Sequence, residues 1–141
     1  MKGKMTLKVT WLALFALVFV LAMAGCNSVL KSRLETATTL EEVEKVYWDA
    51  PDGSEVKEAA LEKMLPLATT PEEVRRVHWD APYGSEVREA AAEKLEAILK
   101  PRLETATTFE EVEKVYWDAP YGSEVREAAA KKLEALWSNT K

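Results

Sequence analysis

The chain repeats itself, and that constrains its fold more than any other feature. Residues 29–60 (VLKSRLETATTLEEVEKVYWDAPDGSEVKEAA) align with residues 98–129 (ILKPRLETATTFEEVEKVYWDAPYGSEVREAA), with 27 of 32 positions identical. Between them, residues 69–95 (TTPEEVRRVHWDAPYGSEVREAAAEKL) are a third version of the same unit. A unit that recurs this way is a supersecondary element stacked on its neighbours, so a residue present three times serves the unit before it serves any single site. Most readings as an enzyme fall on that ground, and the expected function is non-catalytic.

Each unit reads as two helices. The first opens on Thr39…Glu42, Thr70…Glu73 and Thr108…Glu111, the spacing of a capping box in which hydroxyl and carboxylate satisfy backbone N–H groups reciprocally. Pro71 fits the first helical position of the middle copy. Apolar residues follow at Leu40, Val43, Val46, Tyr47 and Ala50, with the same spacing from Phe109 to Ala119, which is one helical stripe. Pro51, Pro82 and Pro120 end these helices, because the residue before a proline is driven out of helical geometry. A Pro-x-Gly-Ser turn leads into the second helix, capped by Ser54, Ser85 or Ser123. There Val87, Ala91, Leu95 and Ile98 form a second stripe, repeated by Val125, Ala129, Leu133 and Leu136.

Nothing signals a strand, neither an alternating β-branched run nor an Asn-Gly hairpin. The expected class is all-α: three stacked helix-turn-helix repeats after a leader, a short α-solenoid. The segment Ser-Glu-Val-Arg-Glu-Ala-Ala-Ala-x-Lys-Leu resembles the second helix of a HEAT-type repeat, whereas the first helix does not follow that family's pattern. The resemblance therefore covers half of each unit and implies HEAT-like hairpin stacking without implying an activity. The spacing from Trp48 to Trp79 is 31 residues and from Trp79 to Trp117 is 38. The extra seven residues, 96–102, are close to two helical turns, and either lengthen the second helix or add a segment broken at Pro101. The expected organisation is a leader over 1–25, an anchored segment over 26–38, and repeats over 39–66, 67–102 and 103–141.

The leader carries the most specific functional signal. Lys2, Lys4 and Lys8 precede 14 uninterrupted apolar residues, Trp11–Ala24, and then Gly25 and Cys26. About 20 apolar residues are needed to cross the hydrocarbon core, so this run suits a secretory signal peptide. Its ending, Leu21-Ala22-Met23-Ala24-Gly25-Cys26, resembles the lipobox of bacterial lipoproteins, with Met23 where Leu is usual. The resemblance implies cleavage before Cys26, lipidation of its thiol and a palmitate-type anchor in the cell-envelope membrane. Asn27, which is not the Asp that retains such proteins at the inner membrane, implies the outer membrane in a two-membrane cell. Cys26 is the one cysteine in 141 residues, so no intramolecular disulfide can form and packing alone must stabilise the fold.

Removing residues 1–25 takes three Lys and no acid, leaving 16 basic against 24 acidic residues, a net charge of −8. Such a surface is a poor partner for nucleic acid, whose binding is dominated by cations on phosphate. One histidine, His78, and scattered helical carboxylates give no metal-ligand spacing, so no metal and no cofactor is expected. Pairs such as Glu41-Glu42 imitate a glycosidase dyad in composition, but their recurrence marks them as capping residues.

The Trp-Asp-Ala-Pro tetrad allows two readings. In the structural one, Trp48, Trp79 and Trp117 pack against the adjacent hairpin, and Asp49, Asp80 and Asp118 accept hydrogen bonds from the turn. In the other, the tryptophans join tyrosines in an aromatic ladder suited to sugars. The recurrence favours the first. Tyr83 and Tyr121 stand apart, because the first copy has Asp52 at their turn position, so they are expected to be exposed. With Trp137, on a last hairpin that lacks a polar cap, they are the candidate ligand or partner surface. The expected partner is a protein or a second copy of the chain, with a polysaccharide as the alternative.

Overall fold

The computed structural model describes residues 27–138. The leader, Cys26 and the lipidation proposed there lie outside the described residues. Among the described residues there are seven helices and no strand: α1 over residues 27–36, α2 Leu40–Asp49, α3 Glu55–Leu67, α4 Pro71–Asp80, α5 Glu86–Thr105, α6 Phe109–Asp118 and α7 Glu124–Ser138. The chain divides into two compact units, residues 1–60 and 61–141, with the boundary inside α3. No helix among the described residues is long and apolar enough to cross a membrane.

Three capping boxes start α2, α4 and α6. The hydroxyls of Thr39, Thr70 and Thr108 accept from the backbone N–H of Glu42, Glu73 and Glu111, each at 3.3 Å. The glutamates answer by accepting from the cap backbone and from the residue before it, as when Glu42 Oε2 accepts from Thr39 N at 3.2 Å and Thr38 N at 2.8 Å. Those backbone hydrogen bonds hold all three carboxyls below the ordinary glutamate range. A carboxylate with a depressed folded-state pKa stabilises above its unfolded pKa and loses that contribution as pH falls through the folded value. We expect the urea midpoint of the wild type to drop as pH falls below about 4.3, the ordinary Glu pKa. In the Glu42→Gln/Glu73→Gln/Glu111→Gln variant, which keeps an acceptor but cannot titrate, the drop should be shallower. Equal slopes would contradict the assignment.

At their C-termini, α2, α4 and α6 stop at an alanine in extended geometry (ψ 139–142°) directly before Pro51, Pro82 and Pro120. The turn then needs a positive φ, which Gly53, Gly84 and Gly122 supply at 70–78°. Ser54, Ser85 and Ser123 cap the next helix, each hydroxyl accepting from the backbone N–H three residues on at 3.2–3.3 Å.

The seven additional residues lengthen a helix. α5 has 20 residues against 13 in α3 and runs through Pro101 without ending, so residue 102 lies inside a helix. The register of the core survives the lengthening because Leu95, Leu99 and Leu103 continue the buried stripe begun at Ala91. α1 has the sequence of the end of α5, and its Leu30 and Leu34, with Ala37 just after it, are buried at the positions of Leu99, Leu103 and Ala106.

In the first unit, Leu30, Leu34, Val43, Val46, Tyr47, Val56 and Ala60 form the core. In the second, hairpin α4–α5 stacks on hairpin α6–α7, and two ion pairs join α4 to α6. Arg75 meets Asp118 at 2.7 Å and Glu72 meets Lys114 at 3.3 Å. The second helices are tied through their ends. Lys94 of α5 donates to the Leu65 carbonyl of α3, and Lys132 of α7 to the Leu103 carbonyl of α5, both at 2.7 Å. Each lysine neutralises C-terminal carbonyls that have no partner within their own helix. The last hairpin shows its apolar face: Leu133 and Leu136 are half-buried, and Phe109 and Trp137 are exposed with ring centroids 6.4 Å apart.

Candidate aromatic and arginine site

The tryptophans are on the surface. Trp48, Trp79 and Trp117 are 66%, 63% and 62% exposed, which corrects the expectation that they pack against the neighbouring hairpin. The reason is helical phase: the stripe Val43, Val46, Tyr47, Ala50 faces the core, and Trp48 stands about 100° around the helix from Tyr47. The buried partner in each pair is the preceding residue. Tyr47 and His78 are buried and Tyr116 is half-buried, each edge-on to its tryptophan at 5.1–5.5 Å. Burial and the nearby Arg88 charge push the His78 pKa below its usual value, so the ring is neutral at pH 7 and fills the tyrosine position of the sister units.

The aspartates also depart from expectation where their partners are resolved. Asp49 pairs with Arg33 of α1 at 2.8 Å and Asp118 with Arg75 of α4. They tie helix to helix where a hydrogen bond from the turn was expected, because these two residues, the last of α2 and of α6, each point at a neighbouring helix.

Tyr83 and Tyr121 are exposed as expected, at 95% and 90%. The structure adds an arginine beside each that sequence reasoning did not single out. The Arg88 guanidinium lies 5.7 Å from the Trp79 ring centre and 5.5 Å from that of Tyr83. The Arg126 guanidinium lies 4.4 Å from Tyr116, 5.8 Å from Trp117 and 5.6 Å from Tyr121. Both are half-buried, and Nη1 of each donates to the carbonyl of the cap alanine, Ala81 at 3.0 Å and Ala119 at 3.1 Å. Two hairpins of the second unit thus carry the same construction: an exposed Trp, an exposed turn Tyr, and a cation held between the rings. The three residue types are those that dominate binding energy at protein interfaces. Trp137 lies on α7, beside Phe109 rather than in either cluster.

Other concavities have less to offer. Crevices of ≈ 230 Å³ between α5 and α6 and ≈ 190 Å³ between α1 and α2 are lined by equivalent residues of mixed charge, Arg102, Glu111 and Lys114 in one and Arg33, Glu42 and Lys45 in the other. Both are smaller than the roughly 300–1,000 Å³ of small-molecule sites. A groove of ≈ 460 Å³ between α5 and α7 is lined by Glu93, Glu96, Lys100, Glu104 and Glu124 together with Ala97, Leu103, Val125 and Ala128. No group of three His, Cys, Asp or Glu among the described residues is placed to hold a metal ion. Compared with protein-family models, curated proteins and solved structures, the chain matches none.

Proposed function

We propose that the chain is a non-catalytic interaction module of the cell envelope, anchored by lipid on Cys26, whose short HEAT-like array holds a partner protein. The observation that carries this reading is the pair of Trp–Tyr–Arg clusters. Exposed tryptophan is costly to leave in water, since apolar surface is stabilised by roughly 25 cal/mol per Å² when covered. Neither cluster contributes its rings to the core, yet both keep the same residues in the same geometry. The half-covered Leu133 and Leu136 with exposed Phe109 and Trp137 add a second apolar surface at the last hairpin. The lipobox-like ending at Cys26 supports the anchor. Several acyl chains on one cysteine would hold the protein firmly, whereas a single chain anchors only reversibly. Asn27 after the cysteine favours the outer membrane in a two-membrane cell.

The exposed aromatic faces favour one other reading, a cell-wall or polysaccharide ligand stacked on Trp and Tyr. One experiment separates the two. The tagged full-length chain is recovered with its partners from cross-linked, detergent-solubilised envelope, alongside Trp79→Ala/Trp117→Ala and Cys26→Ser variants. The expected results are a protein captured by the wild type, its loss from the tryptophan variant, and loss of radioactive fatty-acid labelling from Cys26→Ser. A glycan captured in place of a protein would move the function to the alternative. Equal labelling of Cys26→Ser and wild type would remove the anchor.

A further inference from the structure

The first repeat differs from the other two around the cation that faces its aromatic ring. Residues 29–60 and 98–129 differ at five positions, and two of these, Asp52/Tyr121 and Lys57/Arg126, fall in one cluster. In the first repeat the cation is neutralised from within. Lys57 Nζ lies 4.7 Å from the centre of the Tyr47 ring, the place Arg126 takes over Tyr116, and forms an ion pair with Asp52 at 2.5 Å. The carboxylate comes from the turn position that carries Tyr83 and Tyr121 in the other repeats. There the cation remains and the carboxylate is gone. Among the described residues neither the Arg88 nor the Arg126 guanidinium has a carboxylate partner, and each spends one donor on a main-chain carbonyl. A guanidinium has five N–H donors in a planar fork that matches a carboxylate. The aromatic rings beside it stabilise the charge and exclude water from one side of the pair it would form.

We propose that the two Trp–Tyr–Arg clusters are carboxylate-binding sites, and that the partner protein inferred above engages them through an acidic segment. The inference rests on that interaction reading and adds the chemistry of its contact. Asp52 is the internal model of the ligand: a side-chain carboxylate presented by an exposed chain segment to a cation backed by an aromatic ring. The turn tyrosines then act as walls that let an outside carboxylate take the place Asp52 holds in the first repeat. Two clusters in consecutive hairpins suit a segment with more than one acid. Lys57, already paired, is expected to contribute nothing.

Isothermal titration of the full-length chain tests this with two blocked peptides, acetyl-tetraglutamate-amide and acetyl-tetraglutamine-amide, and with trigalacturonate. The informative variant is Tyr83→Asp/Tyr121→Asp, which copies the first repeat and alters only exposed turn positions. The expected result is saturable binding of tetraglutamate, none of tetraglutamine, and at least tenfold weaker tetraglutamate binding by the variant at unchanged helical circular dichroism. Equal binding of the two peptides, undiminished binding by the variant, or absence of binding would overturn the proposal. Binding of trigalacturonate without the peptide would overturn it in favour of an anionic glycan. If the partner captured from the envelope is lost by Trp79→Ala/Trp117→Ala but kept by Tyr83→Asp/Tyr121→Asp, the carboxylate chemistry fails and the interaction reading stands.

Discussion

Leu99→Ala is expected to destabilise the protein by about 2–5 kcal/mol, the range for truncating a buried leucine. Leu99 is fully buried in the middle of α5, the helix that packs on α4, α6 and α7. A cavity there is felt by both hairpins of the second unit and cannot be closed by one helix moving alone. Small domains have roughly 5–15 kcal/mol in total, so the variant should lose a large part of its stability and unfold at a much lower urea concentration. The adjacent exposed residue supplies the control: Lys100→Ala should stay within about 0.5 kcal/mol. Similar urea midpoints for the two variants would show that the lengthened helix does not organise the core as described.

Arg75→Leu should cost about 1–3 kcal/mol, the penalty for stranding a buried acceptor. Its partner, the Asp118 side chain, is 7% exposed, and Asp118 Oδ2 already has no hydrogen-bond partner. Removing the arginine leaves the whole carboxylate buried without compensation. The 39% exposure of the Arg75 side chain admits water at the other end of the pair, which keeps the loss below the roughly 3–5 kcal/mol of a fully buried pair. Replacing both members by leucine should recover part of the loss, because two apolar groups leave no charge unpaired. A double variant less stable than Arg75→Leu, measured by urea unfolding, would contradict this account of the α4–α6 contact.

Local rules were legible along the chain because they depend on neighbours within four residues. Thr39, Glu42, Pro51 and Ser54 each do what their spacing implies, and the seven extra residues lengthen a helix because two turns restore the buried face. What could not be read were contacts between elements. Arg75 and Asp118 are 43 residues apart, and nothing local in either announces the other. The tryptophans are a different case. Their recurrence in every unit suggested packing, yet the stripe through Val43, Val46 and Tyr47 already placed Trp48 on the other side of the helix; the phase of a recurring residue decides which way it faces. The arginines of the candidate site were also visible in principle, through the paired exchange of Asp52 and Lys57 for Tyr and Arg between copies. That signal has meaning only once the fold shows that the two positions touch.

If the Trp–Tyr–Arg surfaces serve binding, as proposed, the fold does not depend on their tryptophan rings. Urea unfolding of Trp48→Ala/Trp79→Ala/Trp117→Ala, followed by circular dichroism, tests it most directly. Each tryptophan keeps one edge-to-face ring contact, worth about 0.5–1.5 kcal/mol, so the account predicts a cooperatively folded helical protein with a lowered midpoint. If the three rings were core, each loss would be about 3–5 kcal/mol, and together they would exhaust the stability of a small domain. A triple variant that is unfolded without urea would contradict the account.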